Sequence, residues 1–204
     1  ERLGWLADAR MPFLTAAYNH DIAPFFSKWL TDVLDARTEE GAYPFFAPRP
    51  FDWQEGFDKG EGCPVWADSG VLLPSLMYRV YGDRRILERH YPAMCRYVRL
   101  LHERNPDGRW REMTGCIQAG DWLSTVDEAA LEQLKEVVAT AQLSYSTATL
   151  SDTARVLGND DDAAAFADLA AHSRSAFVTH YVNNDGTIVP DVQSSYLFAL
   201  DRKS

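Results

Sequence analysis

No stretch of this chain stays apolar for the roughly 18 residues that a membrane-spanning helix requires, so nothing in it reads as a transmembrane segment. Positive charge is also short. There are 20 Lys and Arg against 30 Asp and Glu, a formal net charge of -10. Such a chain repels phosphate backbones and anionic headgroups, which excludes nucleic acid and membrane surfaces as expected partners and favours a neutral ligand. Cysteine is scarce: Cys63, Cys95 and Cys116 are odd in number and far apart, without metal or redox spacing. Packing thiols are expected rather than a disulfide framework. The five histidines (20, 90, 102, 172 and 180) lack ligand spacing and read as structural or solvated, with His90 and His102 on a charged helix face. There is no Gly-rich phosphate loop, nucleophile elbow or paired-His helix. "NDDDAAAF" lacks the alternating oxygens and closing Glu of a calcium loop and reads as an acidic helix start. No metal and no cofactor are therefore expected. The opening "ERLGWLADAR" has neither the basic nor the apolar region of a signal peptide, and the compartment, cytoplasmic or secreted, is left open.

What is present is helical periodicity. The chain is 46% hydrophobic over 204 residues, enough for a sizeable core. Ile22, Phe25, Phe26, Trp29, Leu30 and Val33 form one wide apolar face, on which Trp29 and Phe25 are expected in the core. "VLLPSLMYRVY" at 71–81 is apolar nearly all round, as in a helix buried on both sides. Leu87, Tyr91, Met94, Val98 and Leu101 form another stripe, with Pro92 expected to begin a fresh helix. Further stripes run through Leu143, Leu150, Ala154 and Leu157, and through Phe166, Leu169, Ala170, Ser173, Phe177 and Tyr181. Only "GRW" at 108–110 and "GTIV" at 186–189 suggest small hairpins.

"RVYGD" at 79–83 and "RVLGNDD" at 155–161 share one grammar: helix, Gly C-cap, acidic N-cap, helix. Their recurrence predicts an array of antiparallel helical hairpins, at least five helices in all, with 71–81 inside. Between the hairpins lie long expected loops at 38–66 and 104–136, whose Trp53, Trp66, Trp110 and Trp122 argue for function rather than disorder. "QSSYLFAL" at 193–200 reads as the start of another apolar helix, and the chain is expected to be a fragment at both ends.

Three clusters, "ERLGWLAD", "VWADSG" and "GDWLS", set a carboxylate beside an indole. Sugars offer an apolar C–H face for stacking and a rim of hydroxyls for charged hydrogen bonds, so this pairing suits carbohydrate. Equally, six Trp must be housed somewhere, and Asp caps helices.

"ERLGWLADA" followed by "TAAYNHDIAPFFSKWLTDVLDA" resembles the catalytic domain of the α-L-rhamnosidases, glycoside hydrolase family 78. "WADSGVLLPSLMYRVYGDRRILERHYPAMCRYV", "GDWL" and "QSSYLFAL" are similar to later segments in the same order. "LAD" stands where the family more commonly has Leu-Gly-Asp. The resemblance implies an all-α fold, an (α/α)6 toroid that is incomplete in this chain, with residues 1–204 a partial catalytic domain completed by the remainder of the same polypeptide. It implies hydrolysis of terminal α-L-rhamnose from a glycoside or polysaccharide with inversion, by an acid and a base roughly 6.5–9.5 Å apart. It further implies Glu1 as general acid, Asp8 as a hydroxyl-binding carboxylate and Trp5 as a pocket wall. Trp66 and Trp122 would be lining indoles, Asp68 a hydroxyl ligand and Asp121 a helix cap. No residue matches the family's downstream general base, so the isolated chain is expected to be inactive. Two other readings stay open: an inverting trehalase-like or glucoamylase-like hydrolase, or a non-catalytic helical module that binds sugar.

Overall fold

The computed structural model describes residues 3–49, 61–111 and 120–200. Eight helices carry the described chain: α1 Leu6–Arg10, α2 Phe13–Asn19, α3 Ala23–Asp35, α4 Ser69–Tyr81, α5 Arg84–Arg104, α6 Glu128–Leu157, α7 Asp160–Tyr181 and α8 Gln193–Leu200. No strand occurs among the described residues, only the isolated bridges Trp5–Phe46 and Val182–Ile188. The expected hairpin at 186–189 thus shrinks to one bridge, and 108–110 is a turn into the buried Trp110.

The two repeated junctions close tight hairpins. Gly82 and Gly158 end α4 and α6 with φ of 70° and 80°, left-handed values that a side chain would strain. Asp83 then accepts the Arg85 N–H at 3.0 Å, capping α5. At the second junction the N-cap is Asn159, and the three Asp of the first turn lie on the helix's positive end. One of them, Asp162, accepts from Tyr91 and Arg99 of α5 at 2.7 and 2.8 Å.

Side-chain hydrogen bonds give the register of the layers. Ser146 donates to Asp68 at 2.6 Å, and Ser75 pairs with Thr153 at 2.9 Å. A step of seven residues along one helix thus matches a step of seven along the other, so α4 and α6 run parallel. In contrast, Ser144 donates to the Ala170 carbonyl and Ser151 to that of Ala163, the order of an antiparallel α6–α7 pair. His102 with Thr147, and Arg84 with the Leu157 carbonyl, make α5 and α6 antiparallel too. The arrangement alternates an inner helix (α4, α6) with an outer one (α5, α7).

Burial follows the same division. The inner α4 is buried from Ser69 to Ser75 and again at Met77, and exposure begins at Arg79, as its apolar sequence predicts. The inner α6 is buried on every side between Val137 and Ser144, with Ser146, Thr147, Ser151 and Thr153 continuing inside. These short side chains let helices approach closely and hydrogen-bond across the contact. Outer helices bury one face, Leu87, Met94, Val98 and Leu101 on α5 and Phe166, Ala170 and Phe177 on α7. Tyr43, fully buried in the loop before α4, presses its ring on Gly70, where an added Cβ would lie 2.5 Å from the ring.

Several expectations need correction. Pro92 lies within α5 rather than starting a helix. Its ring and Glu88, whose carbonyl loses its donor, both face solvent, so water satisfies the gap while the apolar stripe stays continuous. Helix α6 begins at Glu128, capped by Asp127, which accepts from Ala130 at 2.9 Å, and shortens the second long loop. Phe25 is 62% exposed. Its neighbour Phe26 takes the inward position with Trp29, and Phe25 packs only edge-on against Phe26. Cys63 is disulfide-bonded, not a packing thiol, while Cys95 is free and buried and Cys116 lies outside the described residues. Finally, His90 and His102 are buried on α5's inner face, not on its charged one.

That burial makes stability depend on pH. Desolvation pushes His102 down to about 4, aided by the charge of His172, and His90 down to about 4, aided by Arg89 and Arg37. An unfolded histidine titrates near ~6.5, so between those values the unfolded chain binds protons that the folded one does not. The contribution is complete above ~6.5 and is lost as pH falls toward 4, at up to about 1.4 kcal/mol per pH unit for each histidine. Denaturant unfolding at about pH 7 and about pH 5 should show His102→Gln losing less stability on acidification than the native sequence. Equal losses would contradict this account.

Candidate functional site

The segment entering α1 is laced to the loop before α4. Leu6 N–H donates to the Phe45 carbonyl at 2.8 Å, and Ala47 N–H to that of Gly4 at 3.1 Å. The Trp29 indole donates to the Ala47 carbonyl at 2.8 Å, joining α3 to the same point. Only glycine fits at position 4, since a Cβ there would sit 2.3 Å from the Ala47 oxygen.

This lacing fixes an aromatic row. Trp5 meets Phe45 and Phe46 edge-on, with ring centres 6.0 and 5.2 Å apart. Phe45 in turn meets Trp66 edge-on at 5.6 Å. One phenyl ring thus separates two half-buried indoles that are far apart in sequence. Asp8, in the first turn of α1 three residues after Trp5, is exposed and has no hydrogen-bond partner among the described residues. Three residues is close to one helical turn, which places both on one side of α1. Arg10 donates to Ser69 Oγ at 3.2 Å and to the Val65 carbonyl at 3.4 Å, docking α1 onto the turn that begins α4.

That turn is held by Asp68. Val65 has φ 74°, a left-handed value costly for a β-branched residue. Asp68, fully buried, accepts the Val65 N–H at 2.7 Å through one oxygen and Ser146 Oγ at 2.6 Å through the other. Both oxygens face the interior, so the expectation of a hydroxyl ligand gives way to a residue that shapes the turn carrying Trp66.

Trp66 packs against the cluster of Ala7, Val65, Leu134 and Val138, as do Val192 and Phe198 from around α8. Asp121 accepts from Ser194 at 2.5 Å, tying the 120–124 segment to the first turn of α8. It therefore braces α8 from outside that helix instead of capping a helix of its own. Trp122, the next residue, is 66% exposed. The structure thus joins Trp5 to Trp66 through Phe45, leaves Asp8 exposed one turn after Trp5, ties Asp121 to the start of α8 and turns Asp68 inward. Glu1 and Trp53 lie outside the described residues. Sequence reasoning missed Phe45, Phe46 and Arg10. The doubled Phe in "YPFFAPRP" was the one signal for Phe45 and Phe46, inside a loop with no periodicity to orient it. Among the described residues, no three His, Cys, Asp or Glu could together hold a metal ion.

Helical hairpins with parallel inner helices fit part of an (α/α)6 type fold. Residues 1–203 match the bacterial α-L-rhamnosidase six-hairpin glycosidase domain, and the chain belongs to that family. An α-L-rhamnosidase of Streptomyces avermitilis is 38% identical over 200 residues, 98% of this chain and 18% of that protein. The crystal structure of the Streptomyces avermitilis α-L-rhamnosidase complexed with L-rhamnose superposes with a TM-score of 0.85 at 36% identity, covering 99% of this chain and 18% of that one. The α-L-rhamnosidase from Dictyoglumus thermophilum gives 0.76 at 28% identity, over 90% of this chain and 20% of its own. The chain therefore spans about a fifth of the length of these relatives.

Removing the Asp68 carboxylate strands the Val65 N–H and the Ser146 hydroxyl. Asp68→Ala should cost about 2–4 kcal/mol in denaturant unfolding, since hydrogen bonds to a charged group contribute about 1.5–3 kcal/mol each. Because Ser146 acts through the same carboxylate, the double variant with Ser146→Ala should cost less than the sum of the singles. Additive losses would show that the two residues do not form one unit.

Proposed function

We propose that residues 1–204 are part of an (α/α)6 catalytic domain, and that the polypeptide carrying them hydrolyses terminal α-L-rhamnosides with inversion. The observation that supports this most directly is the exposed, unpartnered Asp8 beside Trp5, with Trp66 across Phe45. A carboxylate without an internal partner is available to a sugar hydroxyl, and the flanking indoles offer faces for its C–H surface. In this reading Glu1, four residues before Trp5, is the general acid that protonates the leaving oxygen. Asp8 binds ring hydroxyls, Trp5, Trp66 and Trp122 wall the pocket, and Asp121 and Asp68 hold the walls in place. The general base and the helices that close the toroid come from the rest of the polypeptide. A rhamnoside carries no charge, in keeping with a chain of net charge -10. Acid and base carboxylates suffice for this hydrolysis.

The two carboxylates should separate kinetically in the complete polypeptide. Glu1→Gln should lower kcat for an alkyl rhamnoside by about 10²–10⁴-fold and much less for a nitrophenyl rhamnoside, whose leaving group hardly needs a proton. Asp8→Asn should impair both substrates alike, raising KM and lowering kcat through loss of a charge-assisted hydrogen bond of roughly 1.5–3 kcal/mol. Nuclear magnetic resonance of the first-formed sugar should show the inverted anomer. A retained anomer, or equal loss on both substrates for Glu1→Gln, would remove the assigned roles.

A further inference from the structure

The inner helix α6 carries a buried amide that no described residue engages. Gln142 is 1% exposed, and among the described residues neither its oxygen nor its nitrogen has a hydrogen-bond partner. Keeping an amide dry in an apolar interior costs on the order of a few kcal/mol, so a native fold that retains one usually gives it a partner. Its position on the helix says where that partner comes from. Ser146, one turn later, bonds Asp68 in the turn before α4. Val138, one turn earlier, belongs to the cluster of Ala7, Val65 and Leu134 against which Trp66 packs. Residues four apart share a helix face, so Gln142 lies on the α6 face between Ser146, which bonds Asp68, and Val138, whose cluster Trp66 packs against. The Trp66 indole nitrogen is itself buried and has no acceptor among the described residues. Its ring is half-buried and reaches the aromatic row of the candidate site.

We propose that the Gln142 amide and the Trp66 indole N–H form a binding position for one neutral hydroxyl group at the floor of the site. The donor set selects that chemistry. Two kinds of N–H donor and one amide oxygen suit a group that both accepts and donates, which a hydroxyl does. An anion would lie beside the buried Asp68 carboxylate, and a cation would find one carbonyl. The hydroxyl belongs to the bound sugar or to a water retained beneath it. The first source rests on the rhamnoside reading above; the second does not.

Crystal structures of the complete polypeptide, without sugar and with L-rhamnose, decide the matter. We expect an oxygen within about 2.7–3.2 Å of both the Gln142 amide and Trp66 Nε1. If it is a sugar oxygen, Gln142→Met, which keeps length and removes the hydrogen bonds, should weaken L-rhamnose binding about tenfold in titration calorimetry. If it is a water, the oxygen is present without sugar and the affinity changes by less than about twofold, because the sugar does not touch the amide. No oxygen at that position in either crystal overturns the proposal, whether or not the variant folds. Should the unmodified polypeptide release no rhamnose, the activity reading fails while the sugar-free crystal still tests the site.

Discussion

A single carboxylate inside the helical layers sets the geometry of everything around it. Asp68 is fully buried, and an ionised carboxylate in such a place is tolerated only when its oxygens are hydrogen-bonded. One oxygen holds the Val65 N–H and so stabilises a left-handed turn that valine would otherwise avoid. The other holds Ser146 and so sets the register in which α4 runs beside α6. Arg10 then binds the Val65 carbonyl and Ser69, the two residues that this arrangement positions. Through Arg10 the constraint reaches α1, with Trp5 and the exposed Asp8.

Buried hydroxyls on the inner helices serve a related end. Ser75, Ser144, Ser146, Ser151 and Thr153 each hydrogen-bond a neighbouring helix or turn. Small hydroxyls allow close helix packing without burying an unsatisfied group, whereas the outer helices face solvent and need only one apolar stripe. The same alternation sorts the connections. From inner to outer, the chain turns in two residues at Gly82–Asp83 and at Gly158–Asn159. The connections into the inner helices, from α3 to α4 and from α5 to α6, are long, and they carry indoles and phenyl rings. A rigid helical layer with its long loops gathered at one end is a common way to present a binding site.

Much of this was legible in the residues. Stripes at helical spacing, the two Gly-Asp and Gly-Asn junctions and the all-round apolarity of 71–81 dictate hairpins and the inner place of α4, because periodicity and capping act within one or two turns of chain. The opening motif and its resemblance pointed to Trp5, Asp8 and Trp66; the fold sets Phe45 edge-on between the two indoles and leaves Asp8 exposed one turn after Trp5. Local rules failed where two neighbours competed or where a distant partner intervened. Periodicity alone admitted both Phe25 and Phe26 to the core, and only packing against Phe13 and Trp29 chose Phe26. Pro92 looked like a helix start until the continuous core behind α5 outweighed one lost hydrogen bond.

The sequence by itself determined the main helical stripes and the two tight turns that join α4 to α5 and α6 to α7, because spacing and capping act locally. Tertiary structure alone decided the direction in which polar residues face. Asp68 and Asp8 are both carboxylates close to an indole, yet one is fully buried between a turn and a helix, and the other stands open to solvent. His90, His102 and Gln142 are likewise polar residues drawn inside by the positions of helices distant in the chain. Burial depends on what packs from elsewhere, and no spacing along a single helix encodes which neighbour will arrive.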